Sequence, residues 1–296
     1  MIDINKELSE ILDVAEEKDK DIIEELETLS CKDDFIFLAL VAPERGVKVS
    51  PSKILSASLG MSEEFGVEEA INKIKEATNC KNLILMINSP GGYVKSSYKM
   101  AMALRENFDK IKVFVPYEAS SGGTLITLVG NEIIMGMMSS LSPIDPHGDI
   151  TSALSTKRGF TMLMEWLKDV DENDIPYPLK ALSQKLDPEE LDGAFSSLKM
   201  MEEYAQEILE LAKYDKEKAK IISKKLVNGF YTHGQIINST KAKEIGLNIV
   251  SDVASKSESQ VLRRWLAKYL LKSADKHIIR YYISNKCKIE EKKDGK

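Results

Sequence analysis

The sequence predicts an α/β domain built on parallel strands with crossover helices. Short apolar runs at residues 35–42 (FIFLALVA), 83–87, 113–115 and 132–135 have the pattern of strands buried on both faces. Segments with apolar residues at helical spacing lie between them. Strands alternating with helices imply parallel pairing and right-handed crossovers. With 296 residues, 43% hydrophobic and 30% charged, the chain suffices for one large domain with an elaborated end, or two small ones.

Taken in order, residues 1–29 are charged, with Leu8, Ile11, Leu12, Ile22, Ile23 and Leu26 spaced as on an amphipathic helix or helical pair. Residues 35–42 form the first strand, and 63–76 the helix that crosses to the strand at 83–87. Ser89-Pro90-Gly91-Gly92 ends that strand, and residues 93–108 form a helix with Val94, Tyr98, Met102 and Leu104 on its apolar face. The strand at 113–115 ends at Ala119-Ser120-Ser121-Gly122-Gly123, followed by a short apolar helix at 124–129 and a strand at 132–135. Residues 151–158, polar with small side chains, are a candidate flexible lid, and 159–170 carry helical spacing. Residues 171–178 read as a loop. Asp187-Pro188-Glu189-Glu190 opens a long helix to about residue 214: proline is preorganised for a first turn, and acids suit the positive helix end. A further helix spans 215–226, Gly246 stops a short helix at 241–245, and 247–250 is a last strand. Residues 260–282 read as a basic amphipathic helix, and 286–296 as a charged tail. The expected division is a helical segment at 1–34, the α/β domain at 35–252, and the C-terminal helix and tail at 253–296.

Both glycine-rich turns fall beyond the carboxyl ends of strands, where α/β sheets form their sites, so they are expected to face each other. Gly91-Gly92 leaves backbone N–H groups bare. Ser121 is expected at a helix start with its hydroxyl exposed, its own N–H and that of Gly122 pointing outward. Such donors can hold a developing oxyanion, the main electrostatic need of acyl transfer. On spacing alone, two ordinary tight turns remain the alternative.

The ordered set Asn88-Ser89-Pro90-Gly91-Gly92, Ser121-Gly122-Gly123-Thr124-Leu125-Ile126, Glu132-Ile133-Ile134-Met135-Gly136 and Pro143-Ile144-Asp145-Pro146 resembles the serine dehydrogenase proteinase family. Gly229-Phe230-Tyr231-Thr232-His233 and Ala242-Lys243-Glu244-Ile245-Gly246-Leu247 extend the likeness, which covers about residues 35–250. That family is similar to signal peptide peptidase A and stands with the Clp protease proteolytic subunit in the Clp/crotonase superfamily. The resemblance implies a Clp/crotonase-type core and a serine endopeptidase that cleaves peptides or unfolded segments. It implies Ser121 as nucleophile, Gly91, Gly92 and Gly122 at the oxyanion hole, and Ser120 as a turn former. The same fold also serves acyl-coenzyme A enzymes of the crotonase type and non-catalytic oligomeric scaffolds, and these are the alternatives.

A serine hydroxyl needs a base. The superfamily uses either a histidine with an acid or a single lysine. The resemblance lands Asp145 where the Clp histidine is expected, with His147 two residues on. Loose alignment to signal peptide peptidase A puts its lysine near Lys180, in a segment that also holds Lys185. Lys180 ranks just ahead of His147. His233 reads as a buried, hydrogen-bonded structural histidine, and His277 as a solvated residue of the C-terminal helix.

The net charge of −6 gives no general attraction to nucleic acid. Three scattered cysteines lack metal-ligand spacing and suit a reducing compartment. No Gly-x-Gly-x-x-Gly occurs, so no dinucleotide site is expected, and neither metal nor other cofactor is called for. No apolar run approaches the roughly 20 residues of a membrane span. The expectation is a cytoplasmic homo-oligomer, its amphipathic ends forming interfaces. Contact of the basic helix with a membrane surface is the lesser alternative.

Overall fold

The computed structural model describes residues 12–29, 34–42, 47–50, 53–55, 58–147, 152–184, 186–251, 256–272 and 276–287. The chain runs through β1 (Leu12–Glu16), α1 (Lys20–Leu29), β2 (Ile36–Val41), the hairpin of β3 (Val47–Ser50) and β4 (Lys53–Leu55), and α2 (Met61–Ala77). Then come β5 (Asn82–Asn88), α3 (Val94–Asn107), β6 (Lys110–Val115), the two-residue β7 (Glu118–Ala119), α4 (Gly122–Thr127), β8 (Glu132–Met135) and β9 (Ser140–Leu141). A helical stretch follows: α5 (Ala153–Leu167), α6 (Tyr177–Ser183), α7 (Pro188–Leu211), α8 (Lys216–Asn228) and α9 (Ser239–Ile245). β10 (Ile249–Ser251), α10 (Lys256–Lys272) and β11 (His277–Ile283) complete it.

Seven strands form one sheet in the order β1-β11-β2-β5-β6-β8-β10. Every pairing is parallel except β11 against β2. β2 shows why its run is apolar throughout. Ile36, Leu38 and Leu40 point into the core under α2, α3 and α7, while Phe37, Ala39 and Val41 point into a second core. That second core is closed by Ile22 and Leu26 of α1 and by Leu262, Trp265 and Leu266 of α10. There Phe37 meets Trp265 edge-on at 5.3 Å, a geometry that adds about 0.5–1.5 kcal/mol beyond burial. The Trp265 indole N–H donates to Glu17 at 2.9 Å.

The middle of the sheet follows the sequence, and the helix punctuation does too. Asp187 caps α7 by accepting from the N–H groups of Glu189 and Glu190, and Gly246 ends α9 at φ +118°. Both ends of the chain differ. Residues 12–16, expected in a helix, form β1; its five residues pair with β11. Leu8 and Ile11 lie outside the described residues. The basic C-terminal helix stops at Lys272, and residues 277–283 form a strand buried at every position. Ile278, Ile279, Tyr281, Tyr282 and Ile283 are β-branched or aromatic, the residue types a two-sided strand favours. Arg280, one of the basic residues of the amphipathic helix expected at 260–282, is buried and bonds the Asp13 carbonyl at 2.7 Å and the Asp13 carboxylate. His277 is likewise buried rather than solvated, its Nδ1 lying 3.1 Å from Glu63.

The candidate lid is also ordered differently. Ser152 caps α5 by accepting from Ser155 N–H, so residues 153–158 are a helix start. Arg158 ties that helix down by donating to the carbonyls of Phe230 and Tyr231 at 3.1 and 2.5 Å. Residues 172–174 form a 3₁₀ turn and α6 begins at Tyr177, both within the stretch 171–178 that the sequence suggested was a loop.

Candidate active site

Ser89-Pro90-Gly91-Gly92 leaves the end of β5, and Ser120-Ser121-Gly122 leads from β7 into α4. These two turns lie against one another. Ser89 N–H donates to Glu118 O at 2.8 Å, and Ser120 N–H donates to Ser89 O at 3.0 Å. Gly91 sits at φ +112°, and a Cβ there would stand 2.8 Å from both Ser120 O and Ser121 Cβ. Gly92 runs beside Leu59, where a Cβ would come within 2.2 Å of Leu59 O. Only glycine permits either approach.

Ser121 precedes α4 with φ +49° and ψ −114°. A serine in that region is strained, and such strain gathers at functional turns. The side chain is half-buried, whereas Gly122 to Val129 are fully buried behind it. Ser121 N–H does not point outward as expected: it donates to Ser142 Oγ at 2.7 Å. Ser120 Oγ donates to Glu118 at 2.5 Å, so Ser120 serves the turn. The N–H groups of Gly92 and Gly122 keep no acceptor among the described residues. They are close neighbours, because a Cβ on Gly122 would lie 3.1 Å from Gly92 N. Two bare donors therefore stand next to the half-buried Ser121, the kind of grouping that can receive an anionic oxygen.

Ser142 leads from this turn to the titratable groups. Its N–H and carbonyl are both bound by Thr124 Oγ1 of α4, at 3.1 and 3.0 Å. Three residues on lies Asp145, within about 10 Å of Ser142 even for extended chain. Leu141 and Ile237 exchange backbone hydrogen bonds at 2.9 Å, which brings the 233–237 segment alongside. There His233 Nδ1 meets Asp145 Oδ1 at 2.8 Å. The Asp145 side chain is 1% exposed and that of His233 is 27% exposed. The His147 ring packs edge-on to His233 with centroids 4.1 Å apart.

Burial pushes the Asp145 carboxyl up, but the hydrogen bond and charge of His233 outweigh it and hold the group below its ordinary value. Asp145 therefore stays ionised opposite an imidazole. Burial and the neighbouring His233 push His147 below the ordinary histidine value, against the pull of Asp145.

Of the residues singled out in the sequence, the structure brings together Gly91, Gly92, Ser121 and Gly122. His147 is exposed beside His233. Lys180 is exposed on α6, without the burial that activates a lysine amine. Lys185 lies outside the described residues. His233, expected as a buried structural histidine, is hydrogen-bonded but partly open to solvent. The pairing that marks it joins residues 88 positions apart, so no local spacing reveals it. The available signal was scarcity: the chain has three histidines.

Residues 63–294 match the family of ClpP-like SDH-type serine proteinases. Two uncharacterised proteins of Methanocaldococcus jannaschii are 33% and 32% identical over 189 and 193 residues, 64% and 63% of this chain. The chain spans 59% of the length of each. Two solved structures of the 1510-N membrane-bound stomatin-specific protease also align, one a serine-to-alanine mutant and one a lysine-to-alanine mutant with a substrate peptide. Both have TM-score 0.40, at 11% and 12% identity, covering 65% of this chain and 74% and 70% of theirs. At that level of likeness, the groups of those proteases do not indicate which residue is the base here. No helix among the described residues is long and apolar enough to cross a membrane. The family match spans most of the chain and contains every residue of the site, so the chain belongs to the ClpP-like SDH-type serine proteinases.

Proposed function

We propose that this protein is a serine endopeptidase whose nucleophile is Ser121, whose general base is His233 and whose orienting acid is Asp145. The observation that carries the reading is the 2.8 Å hydrogen bond between His233 and a buried Asp145, three residues beyond the serine that holds the Ser121 backbone. Asp145 fixes the imidazole with Nδ1 as donor, leaving Nε2 as the acceptor for a hydroxyl proton. Ser121 Oγ then attacks a peptide carbonyl, and the oxyanion rests on the N–H groups of Gly92 and Gly122. His233 returns the proton to the leaving amine, and a water molecule activated by the same base hydrolyses the acyl-enzyme. Gly91 acts by allowing the turn to lie on Ser121.

Family membership favours this chemistry over the acyl-coenzyme A and scaffold alternatives. Peptides or unfolded segments are the proposed substrates. Tyr93, beside Gly92, is 67% exposed, and Tyr231, two residues from His233, is 82% exposed, so apolar side chains stand near both halves of the site. Assembly into a homo-oligomer is supported by exposed Met162, Met164, Trp166, Tyr177 and Leu182 on α5 and α6. A cytoplasmic location is proposed from the sparse, odd set of three cysteines in the sequence.

The test is covalent labelling with a fluorophosphonate followed by peptide mapping. Label is expected on Ser121 and absent from Ser121→Ala. Asp145→Asn should slow peptide turnover by about 10,000-fold and His233→Ala by at least as much. A comparable loss in Lys180→Ala, with His233→Ala still active, would move the base to Lys180. No label on folded protein would overturn the peptidase reading.

A further inference from the structure

The same corner of the molecule holds more than a base and its partner. One ligand atom from each of Asp145, His147 and His233 lies within 4.8 Å of the others. Two imidazoles and a carboxylate are a common donor set for zinc and related divalent ions. A second observation points the same way. Asp145 Oδ2 is buried and keeps no hydrogen bond among the described residues, because the neighbouring Ser152 hydroxyl, which also helps hold the Asp145 carboxyl below its ordinary value, donates instead to Ser155 Oγ at 2.9 Å. A buried carboxylate oxygen left without a donor is costly, and a cation would satisfy it. Pro146, between Asp145 and His147, limits how far these two ligands can separate.

We propose that Asp145, His147 and His233 form a zinc-binding site that reversibly switches off the active centre. The switching role rests on His233 being the base for Ser121; the site itself does not. Ligand atoms around tetrahedral zinc stand about 3.3 Å apart, given bonds near 2.0–2.1 Å. The cluster must therefore contract by up to about 1.5 Å, which side-chain rotation of the exposed His147 and the half-exposed His233 supplies. Zinc has no preferred geometry of its own and tolerates such a set, with a fourth position left for water. Once bound, the ion removes the Nε2 lone pair that would otherwise accept the Ser121 proton, either by occupying it or, when bound at Nδ1, by leaving the ring proton on Nε2, and it competes for the carboxylate that orients the ring. His147 has no part in the acylation chemistry, yet it completes the ligand set. This is an inhibitory ion, distinct from a metal the reaction needs.

The experiment uses the full chain freed of metal by chelator dialysis. Zinc chloride is titrated against a fluorescent zinc chelator, in the wild type and in Ser121→Ala, where catalysis cannot interfere. One zinc per chain with micromolar affinity or tighter is expected in both, weakened about 100-fold or more in His147→Ala. Cobalt(II), as a spectroscopic probe, should give visible d–d bands that His147→Ala loses. Unchanged zinc affinity in His147→Ala, or no binding below about 100 µM, would overturn the site. The rate of fluorophosphonate labelling at Ser121 is then compared with and without zinc. At least a tenfold slowing, reversed by EDTA and absent from His147→Ala at the same zinc concentration, is expected. Zinc bound at these residues with undiminished labelling would overturn the switch. If zinc-free protein takes no label, the peptidase reading fails and the switch fails with it, while the titration still decides the site.

Discussion

Ser121 occupies a backbone conformation that glycine adopts freely and serine does not, at φ +49° and ψ −114°. Such strain costs about 1–3 kcal/mol and persists only where the surroundings hold it. Here those surroundings are Ser142, bonded to Ser121 N–H, and Gly91, pressed against Ser121 Cβ. Ser121→Gly should therefore stabilise the protein by about 1 kcal/mol or more, a rise in Tm of about 2–4 °C per kcal/mol, while abolishing labelling. Ser121→Ala keeps the strain and should melt within about 1 °C of the wild type. Thermal unfolding of the three proteins side by side checks this; equal Tm values for the glycine and alanine variants would show the turn to be unstrained. Ser121 was legible in the sequence because its signal is local, a serine before two glycines after a strand. The base was not, because the His233–Asp145 contact depends on how the Leu141–Ile237 pairing folds two distant segments together.

The two turns work as one element, and their glycines are required for different reasons. At Gly92 an added methyl group would meet the Leu59 backbone at O, N and Cα, between 2.2 and 2.6 Å. Nothing there is a flexible side chain, so Gly92→Ala should cost about 1–3 kcal/mol or more. At Gly122 the worst contact is Ser97 Oγ at 2.3 Å, while Gly92 N and O stand at 3.1 Å. Ser97 Oγ is buried without a hydrogen-bond partner among the described residues, so deleting it should cost little. Gly122→Ala alone should destabilise the fold, and Gly122→Ala/Ser97→Ala should recover most of that loss in urea unfolding. Activity should stay depressed about 100-fold in the double variant, because the methyl group still crowds the Gly92 donor. Recovery of turnover along with stability would mean that these N–H groups do not bind the oxyanion. The positions of the turns were readable from glycine pairs after apolar runs. The passage of Leu59 beside Gly92 was not, because a close backbone approach leaves no sequence signal beyond the glycine itself.

At the scale of the whole molecule, β11 decides how the sheet is held together. It comes last among the described strands, yet it lies inside the sheet with β1 on one side and β2 on the other. Helical spacing misread it because Ile278, Tyr281 and Tyr282 also fit one face of a helix with Arg280 on the other, and periodicity cannot show that a strand is covered on both faces. Removing it breaks two ladders at once and uncovers Tyr282 and Ile278, which belong to the core shared by Trp265 and Phe37. β11 is therefore expected to open only when the domain unfolds. Cys287, four residues beyond it, reports that event. Its thiol is buried, with Sγ 3.5 Å from Phe35 O. Burial, with Cys80 nearby, pushes its pKa up to about 12. The thiolate is the reactive species, so at pH 8 alkylation of Cys287 should run about a thousandfold slower than in the unfolded chain. Iodoacetamide labelling followed by peptide mapping gives its rate, with the fully urea-unfolded chain as reference. As urea is added, the Cys287 rate should rise with the slope of global unfolding measured by circular dichroism. A shallower slope, with labelling complete before the global transition, would show that β11 detaches as a unit of its own and that the sheet is stable with β2 at its edge.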